Sequence, residues 1–115
     1  MITTIEITVG DTGIALSGQL NGGGLDTLAG STVTLSILGV DDTPELNFTG
    51  RDIVEDAAVT ITDAATRMVR YQLQAADLAK ANRGIIRWKV TLPAGAGVVH
   101  VPGPRDDQVV LQINA

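Results

Sequence analysis

LAGSTVTLSI, residues 28–37, sets apolar and hydroxyl side chains in strict alternation. Val33, Leu35 and Ile37 point to one face of an extended chain and Thr32, Thr34 and Ser36 to the other, the pattern of a half-buried strand. The same period recurs on both sides of it. Upstream, Ile5, Ile7 and Val9 alternate with Glu6 and Thr8, GDTG (10–13) reads as a turn, and IALSGQL (14–20) offers a second short strand closed by the NGGG tip (21–24). Three consecutive glycines have no side chains to pack and cost entropy to order, so that tip is expected to be mobile.

Downstream, DDTPELNFTGRD (41–52) is irregular, acidic and carries Pro44, which cannot donate to a ladder. It reads as a crossing between sheets, with a weak edge strand around Leu46–Phe48. AAVTITD (57–63) and RMVRYQL (67–73), joined by DAATR, form a predicted hairpin with Val59, Ile61, Val69, Tyr71 and Leu73 inward. IIRWKVTL (85–92) sets Ile86, Trp88, Val90 and Leu92 on one face and Arg87 and Lys89 on the other. PAGAG turns the chain, VVHV returns, PGPRDD turns it again, and QVVLQI closes with Val109, Leu111 and Ile113 inward.

Eight or nine short strands with regularly spaced turns predict an all-β sandwich or barrel. A predicted core follows: Val33, Leu35, Ile37, Val59, Ile61, Tyr71, Leu73, Trp88, Val90 and Leu111. One segment breaks the period. QAADLAKANRG (74–84) contains good helix formers, with Asn82 and Gly84 placed to end a turn, and predicts one short helical turn near residues 75–82. The order Asp77, Gly84, Ile86, Trp88 follows that of the immunoglobulin corner, but Ile86 stands where the corner tyrosine would be and Trp88 where a disulfide cysteine would be. Neither the corner hydrogen bond nor the bridge is therefore expected.

The whole-chain numbers agree with one domain over residues 1–115. A chain of 115 residues buries roughly two-thirds of its unfolded surface. Its 44% hydrophobic content suits a folded core, while only 3% aromatic residues leave Trp88, Tyr71 and Phe48 as the only large rings, all at expected core positions. Without cysteine there is no disulfide framework, thiolate nucleophile or cysteine metal site, and folding in a reducing cytoplasm is the simpler expectation. Met1 leads straight into ITTIEITV, so no secretory leader is expected and the chain is expected to be a whole gene product. No apolar run is long enough to span a bilayer as a helix.

The net charge of −5 argues against nucleic acid as a partner. The distribution says more. From Asp41 to Asp63 the acids are Asp41, Asp42, Glu45, Asp52, Glu55, Asp56 and Asp63 against Arg51 alone; from Arg67 to Lys89 the bases are Arg67, Arg70, Lys80, Arg83, Arg87 and Lys89 against Asp77 alone. Two readings stay open: solvated faces that pair within the fold, or surfaces of opposite sign that guide packing against another subunit.

LDTLAGSTVTLSI, then AAVTITDAATRMVRYQLQAADLAKANRGIIRWKVTL, then VVHVPGPRDDQVVLQI, together resemble the immunoglobulin-like domain at the N-terminus of bacteriophage upper baseplate proteins and related phage structural modules. The likeness rests on the leucine-x-glycine-x-x-valine strand entry, the tyrosine-x-leucine followed by aspartate, leucine, alanine and glycine, and the proline-bearing turn before the last strand. It covers residues 5–113. Gly84, Ile85 and Ile86 depart from the family's glycine-threonine-tyrosine, and the NGGG tip is longer than the family's. The resemblance implies an immunoglobulin-like antiparallel β-sandwich and a non-enzymatic virion protein. Such a protein decorates or stabilises capsid or tail and is assembled in the host bacterial cytoplasm. Its partners would be further copies of itself, capsid or tail proteins, with no cofactor and no membrane.

Catalysis finds little support. His100 alternates with Val99 and Val101 on a predicted strand, and a catalytic base needs a nucleophile and an orienting partner that the spacing does not supply. There is no G-x-S-x-G elbow, and a P-loop reading of NGGG fails because no helix follows it. The carboxylate pairs Asp41–Asp42, Glu55–Asp56 and Asp106–Asp107 lie in turns, where acids are common; calcium bridging between loops stays open. The alternative is a stand-alone binding module for carbohydrate or a host cell-surface partner. Interface candidates are Ile2, Thr4 and Glu6 on the first strand, with Arg67, Arg70, Arg87 and Lys89 from the basic segment. The terminal strands ITTIEITV and QVVLQINA are candidate edges, since edges offer unpaired backbone groups to a partner.

Overall fold

The computed structural model describes residues 2–21, 24–102 and 108–115. Nine strands follow one another: β1 (Ile2–Thr8), β2 (Ala15–Gln19), β3 (Thr32–Gly39), β4 (Val54–Ala58), β5 (Thr60–Asp63), β6 (Met68–Gln72), β7 (Asn82–Thr91), β8 (Val98–Val101) and β9 (Gln108–Asn114). They form a sandwich of two sheets. The larger runs β1-β9-β7-β3-β4, with β8 also on β7; the smaller runs β2-β6-β5. All pairs are antiparallel except β1 with β9, which run parallel from Ile2↔Gln108 to Thr8↔Asn114. The long strand β7 takes β9 along Asn82–Ile85 and β8 along Trp88–Thr91, so the two short partners share one flank of it.

Alternation decides which side chains meet between the sheets. β3 places Val33, Leu35 and Ile37 inward, and β7 answers with Ile86, Trp88 and Val90, all buried. Leu16, Val69 and Tyr71 come from the smaller sheet, with Leu73 just beyond β6, and Leu111 and Ile113 from β9; all belong to one buried cluster. Leu20, Leu28 and Leu78, which lie in connections, are almost fully buried and plug the ends of that cluster. Val59 and Ile61 are only half-buried against it, because Val59 lies between sheets and Ile61 is on β5, an edge strand.

The crossing between sheets lies elsewhere than the sequence suggests. Residues 41–52 do not cross; they form an excursion folded back on β3. Thr49 N–H donates to the Gly39 carbonyl at 2.9 Å, Ile53 N–H to Ile37 at 2.9 Å, and Gly39 N–H to the Asp52 carboxylate at 2.8 Å. The chain changes sheet at Val59, the single residue between β4 and β5, whose N–H donates to Val33 of β3 at 3.2 Å. The expected edge strand at Leu46–Phe48 reduces to one isolated bridge, Val40↔Phe48, because Leu46 takes a left-handed φ of 53° that interrupts the extension.

Residues 75–78 form a turn without becoming a helix: Asp77 N–H donates to Gln74 at 3.0 Å and Leu78 N–H to Ala75 at 3.2 Å, and β7 already begins at Asn82. Gly84 does not cap this turn. It lies in β7, buried, where a Cβ would come within 2.6 Å of Ile37 Cγ2. The one 3₁₀ turn among the described residues is Pro93–Gly95, inside PAGAG. Gly22 and Gly23 of the NGGG tip, and residues 103–107 of PGPRDD, lie outside the described residues, and so does the Asp106–Asp107 pair.

Candidate functional site

A small second core sits on the outer face of the larger sheet. Val40, Ile85 and Val110 are buried there, and Leu46 packs over them. The loop carrying Leu46 is organised by Asp41. Its Oδ1 accepts from Thr43 N–H at 3.2 Å, Thr43 Oγ1 at 2.6 Å and Asn47 N–H at 3.1 Å, while Oδ2 accepts from Asn47 Nδ2 at 3.0 Å. The Thr43 and Asn47 side chains, followed by their backbone donors, hold the Asp41 carboxyl below its ordinary range. Asp42 pairs with Arg83 at 3.0 Å, the only ion pair among the described residues. Both members of the first carboxylate pair are therefore occupied by the loop and its anchor.

The interface candidates do not converge. Arg67 is half-buried and bonded within the chain: Nε donates to Leu20 O at 3.1 Å, Nη1 to Asp26 O at 3.2 Å and Nη2 to Asn21 Oδ1 at 3.1 Å. It clips the connection after β2 to the β5–β6 turn. Arg70 lies on the exposed face of the smaller sheet, where its Nη2 donates to Gln72 at 3.3 Å. Arg87 and Lys89 point out of the opposite side of the sandwich, since their neighbours Ile86, Trp88 and Val90 point in. Ile2, Thr4 and Glu6 are on β1, which is a true edge; β9 is not, because β1 and β7 flank it.

Arg87 and Lys89 border a hollow of about 160 Å³ with Ser36, Leu38, Asp56 and His100. His100 on β8 is the cross-strand partner of Lys89, and Ser36 on β3 is that of Arg87. Neither Arg87 nor Lys89 has an ion pair or side-chain hydrogen bond among the described residues, and Arg87 Nε is shielded without a partner. A second depression, a groove of about 530 Å³, runs beside β2. Leu16, Leu20, Trp88, Val101 and Val109 line it, and Ile5 of β1 stands at its rim, 36% exposed. Along this flank no described strand pairs with β2.

The three rings part company. Tyr71 and Trp88 are buried, whereas Phe48, expected in the core, is 63% exposed because the 41–48 excursion carries it away from the sandwich. The Tyr71 hydroxyl donates to Asp77 Oδ2 at 2.9 Å, and the same oxygen accepts Gln74 N–H at 2.8 Å. Burial, then the Asp77 carboxylate, pushes the Tyr71 phenol up to about 12. Asp56, on β4, takes a left-handed φ of 44° at the bulge and is linked to Ser36.

Among the described residues no three His, Asp or Glu side chains are grouped to hold a metal ion, and no helix is long and apolar enough to cross a membrane. No protein-family model matches the chain, and no curated protein is significantly similar to it.

Proposed function

We propose that this chain is a non-enzymatic structural subunit of a bacteriophage virion, a small immunoglobulin-like sandwich held on capsid or tail by protein–protein contacts. The observation that carries the reading is how the charged side chains are used. Asp41, Asp52, Asp77, Arg67 and Arg83 are engaged in tying loops to strands. Among the cations without an ion pair in the described residues, Arg87 and Lys89 lie two residues apart on one face of β7, where a neighbouring protein can reach them. Loops tied to strands by side-chain hydrogen bonds, beside a face with uncommitted charge, suit a part whose task is to be held in place. The resemblance of residues 5–113 to phage structural modules supplies the virion setting. The site of action is then the particle, assembled in the bacterial cytoplasm, and no cofactor enters.

The exposed ring of Phe48 favours a second reading, a binding module for carbohydrate or a host surface partner, since an exposed aromatic can stack on a sugar. One experiment separates them. The purified chain is mixed with the capsid and tail proteins encoded beside it, and complexes are sought by light scattering. A stable complex with one of them supports the structural subunit. Indifference to all of them, with binding to a glycan that Phe48→Ala abolishes, installs the binding module instead.

A further inference from the structure

Asp56, Ser36 and Arg87 sit at one level across three neighbouring strands of the larger sheet. The backbone register sets that level: Ser36 faces Arg87 across the β3–β7 ladder, and Asp56 N–H donates to Ser36 Oγ at 3.1 Å. Adjacent strands are about 4.8 Å apart, so an acidic position on β4 and a basic one on β7 lie about 10 Å apart, on either side of β3. They do not pair with each other within the chain. Arg87 Nε is shielded and without a partner, and Thr34 Oγ1, opposite Lys89 on β3, is in the same condition. Arg87 makes no ion pair or side-chain hydrogen bond among the described residues, so its charge is not committed within the chain.

A half-turn about an axis running along β3, in the plane of the face, exchanges the two flanks. It sets β4 of one copy over β7 of the other, at the same level, and by symmetry the reverse. Each Asp56 then meets an Arg87 of the second copy, so one charge pattern is complementary to itself. Ser36 and Thr34, the residues on the axis, are small enough to let the faces approach. We infer that the part of the outer face of the larger sheet around Ser36, beyond the end covered by the Leu46 loop, is a docking surface for a second copy of this chain, closed by two reciprocal Asp56–Arg87 pairs. The patch is a poor fit to nucleic acid, because Asp56 places a negative charge within it.

The contact spans only a few strands, the small end of specific interfaces, so it is a concentration-dependent equilibrium that salt weakens. The inference rests on the structural-subunit reading only in taking contact between subunits as the chain's task. A dimer that ignores shell and tail proteins leaves it standing and overturns that reading alone.

The test is the mass of the purified chain by sedimentation and light scattering, from micromolar to millimolar concentration, at low and high salt. The expected mass rises from 11.9 kDa towards twice that value, with less dimer in high salt. Arg87→Glu and Asp56→Arg, each placing like charges opposite one another, weaken association by about tenfold or more. An equimolar mixture of the two restores it, because both pairs are again of opposite sign. Because the backbone at Asp56 is left-handed, Ser36→Tyr serves as a second probe at an ordinary strand position, and it blocks the approach on the axis. Circular dichroism checks that each variant is folded. A monomer at every concentration overturns the inference. So does a dimer indifferent to Arg87→Glu and Ser36→Tyr, or self-association absent while an acidic protein or nucleic acid binds Arg87.

Discussion

Tyr71 on β6 donates its hydroxyl to Asp77 Oδ2 at 2.9 Å, and that oxygen also receives Gln74 N–H at 2.8 Å. One carboxylate thus ties a strand of the smaller sheet to the turn that feeds β7 of the larger one. Removing the hydroxyl in Tyr71→Phe costs about 1 kcal/mol, the usual net worth of such a bond. Asp77→Ala leaves two donors without an acceptor and costs more, about 2 kcal/mol. Urea unfolding followed by Trp88 fluorescence checks the order; equal costs would remove the two-donor account.

Burial of Tyr71, and then the same bond, make stability fall in alkali. The Tyr71 phenol is raised from 10.0 to about 12, so the fold favours its protonated form. The contribution is fully present below pH 10 and is lost as pH rises through 12, a change of up to roughly 2 kcal/mol. Tyr71 is the only tyrosine, so its ultraviolet titration reads the group directly. Wild-type protein is expected to lose stability in this window relative to Tyr71→Phe. A phenol titrating near 10 in the folded chain would contradict the expectation.

Two glycines are fixed by neighbours rather than by φ. A Cβ on Gly84 would press on Ile37 Cγ2 at 2.6 Å, and one on Gly39 would run into the Arg51 carbonyl. Gly84→Ala is expected to cost about 1–3 kcal/mol as overpacking, and Gly39→Ala more, because backbone cannot rotate away. A Cβ added to Gly18 on β2 would meet nothing within 4 Å, and its φ is ordinary, so Gly18→Ala is neutral or stabilising by about 0.5 kcal/mol. Thermal melts of the three variants give the ranking.

The strands legible in the sequence are those with uninterrupted alternation and a single sheet to serve, such as Val33–Leu35–Ile37 and Ile86–Trp88–Val90. Alternation is silent about which sheet a residue joins. AAVTITD alternates straight through Val59, so the change of sheet there leaves no mark. Phe48 reads as core because it is a ring in a weakly periodic run, yet Leu46 turns left-handed two residues earlier and carries it outward. The Tyr71–Asp77 bond escapes a search for a tyrosine on β7, because Tyr71 reaches Asp77 from β6. Arg67 and Arg87 have identical side chains in one basic segment. Only the fold separates the arginine bonded to Leu20, Asn21 and Asp26 from the one left open. The Asp41 loop does carry a signal, since an aspartate followed by Thr43 two residues on is turn chemistry.

Arg67 holds the chain after β2 through three separate bonds, two to carbonyls and one to Asn21. Lysine keeps the charge but lacks the planar fork that makes them together. Arg67→Lys is expected to lose about 1–2 kcal/mol, with hydrogen exchange accelerating at Leu20 N–H, which donates to the Arg67 carbonyl at 2.9 Å. Exchange at Val90, inside the β3–β7 ladder, tracks only global stability and serves as reference. Equal acceleration at both amides would mean that the side chain acts through the whole fold rather than on this connection.

Asp41 makes the Leu46 loop sensitive to acid. Its carboxyl is held below its ordinary value by hydrogen bonds from Thr43 and Asn47, so the carboxylate form stabilises the folded loop. By linkage that contribution is present above the unfolded-state value of 3.8 and is lost as pH falls through the lower folded-state value. Protonation weakens four accepted bonds at once, and with them the seat of Leu46 over Val40, Ile85 and Val110. The amide of Asn47 and the methyls of Leu46 should shift together below the ordinary carboxylate range in a nuclear magnetic resonance titration. Asp41→Asn, whose amide offers one acceptor oxygen instead of two, should abolish that step while leaving β3 and β7 unchanged. Survival of the step in Asp41→Asn would assign it to another carboxylate.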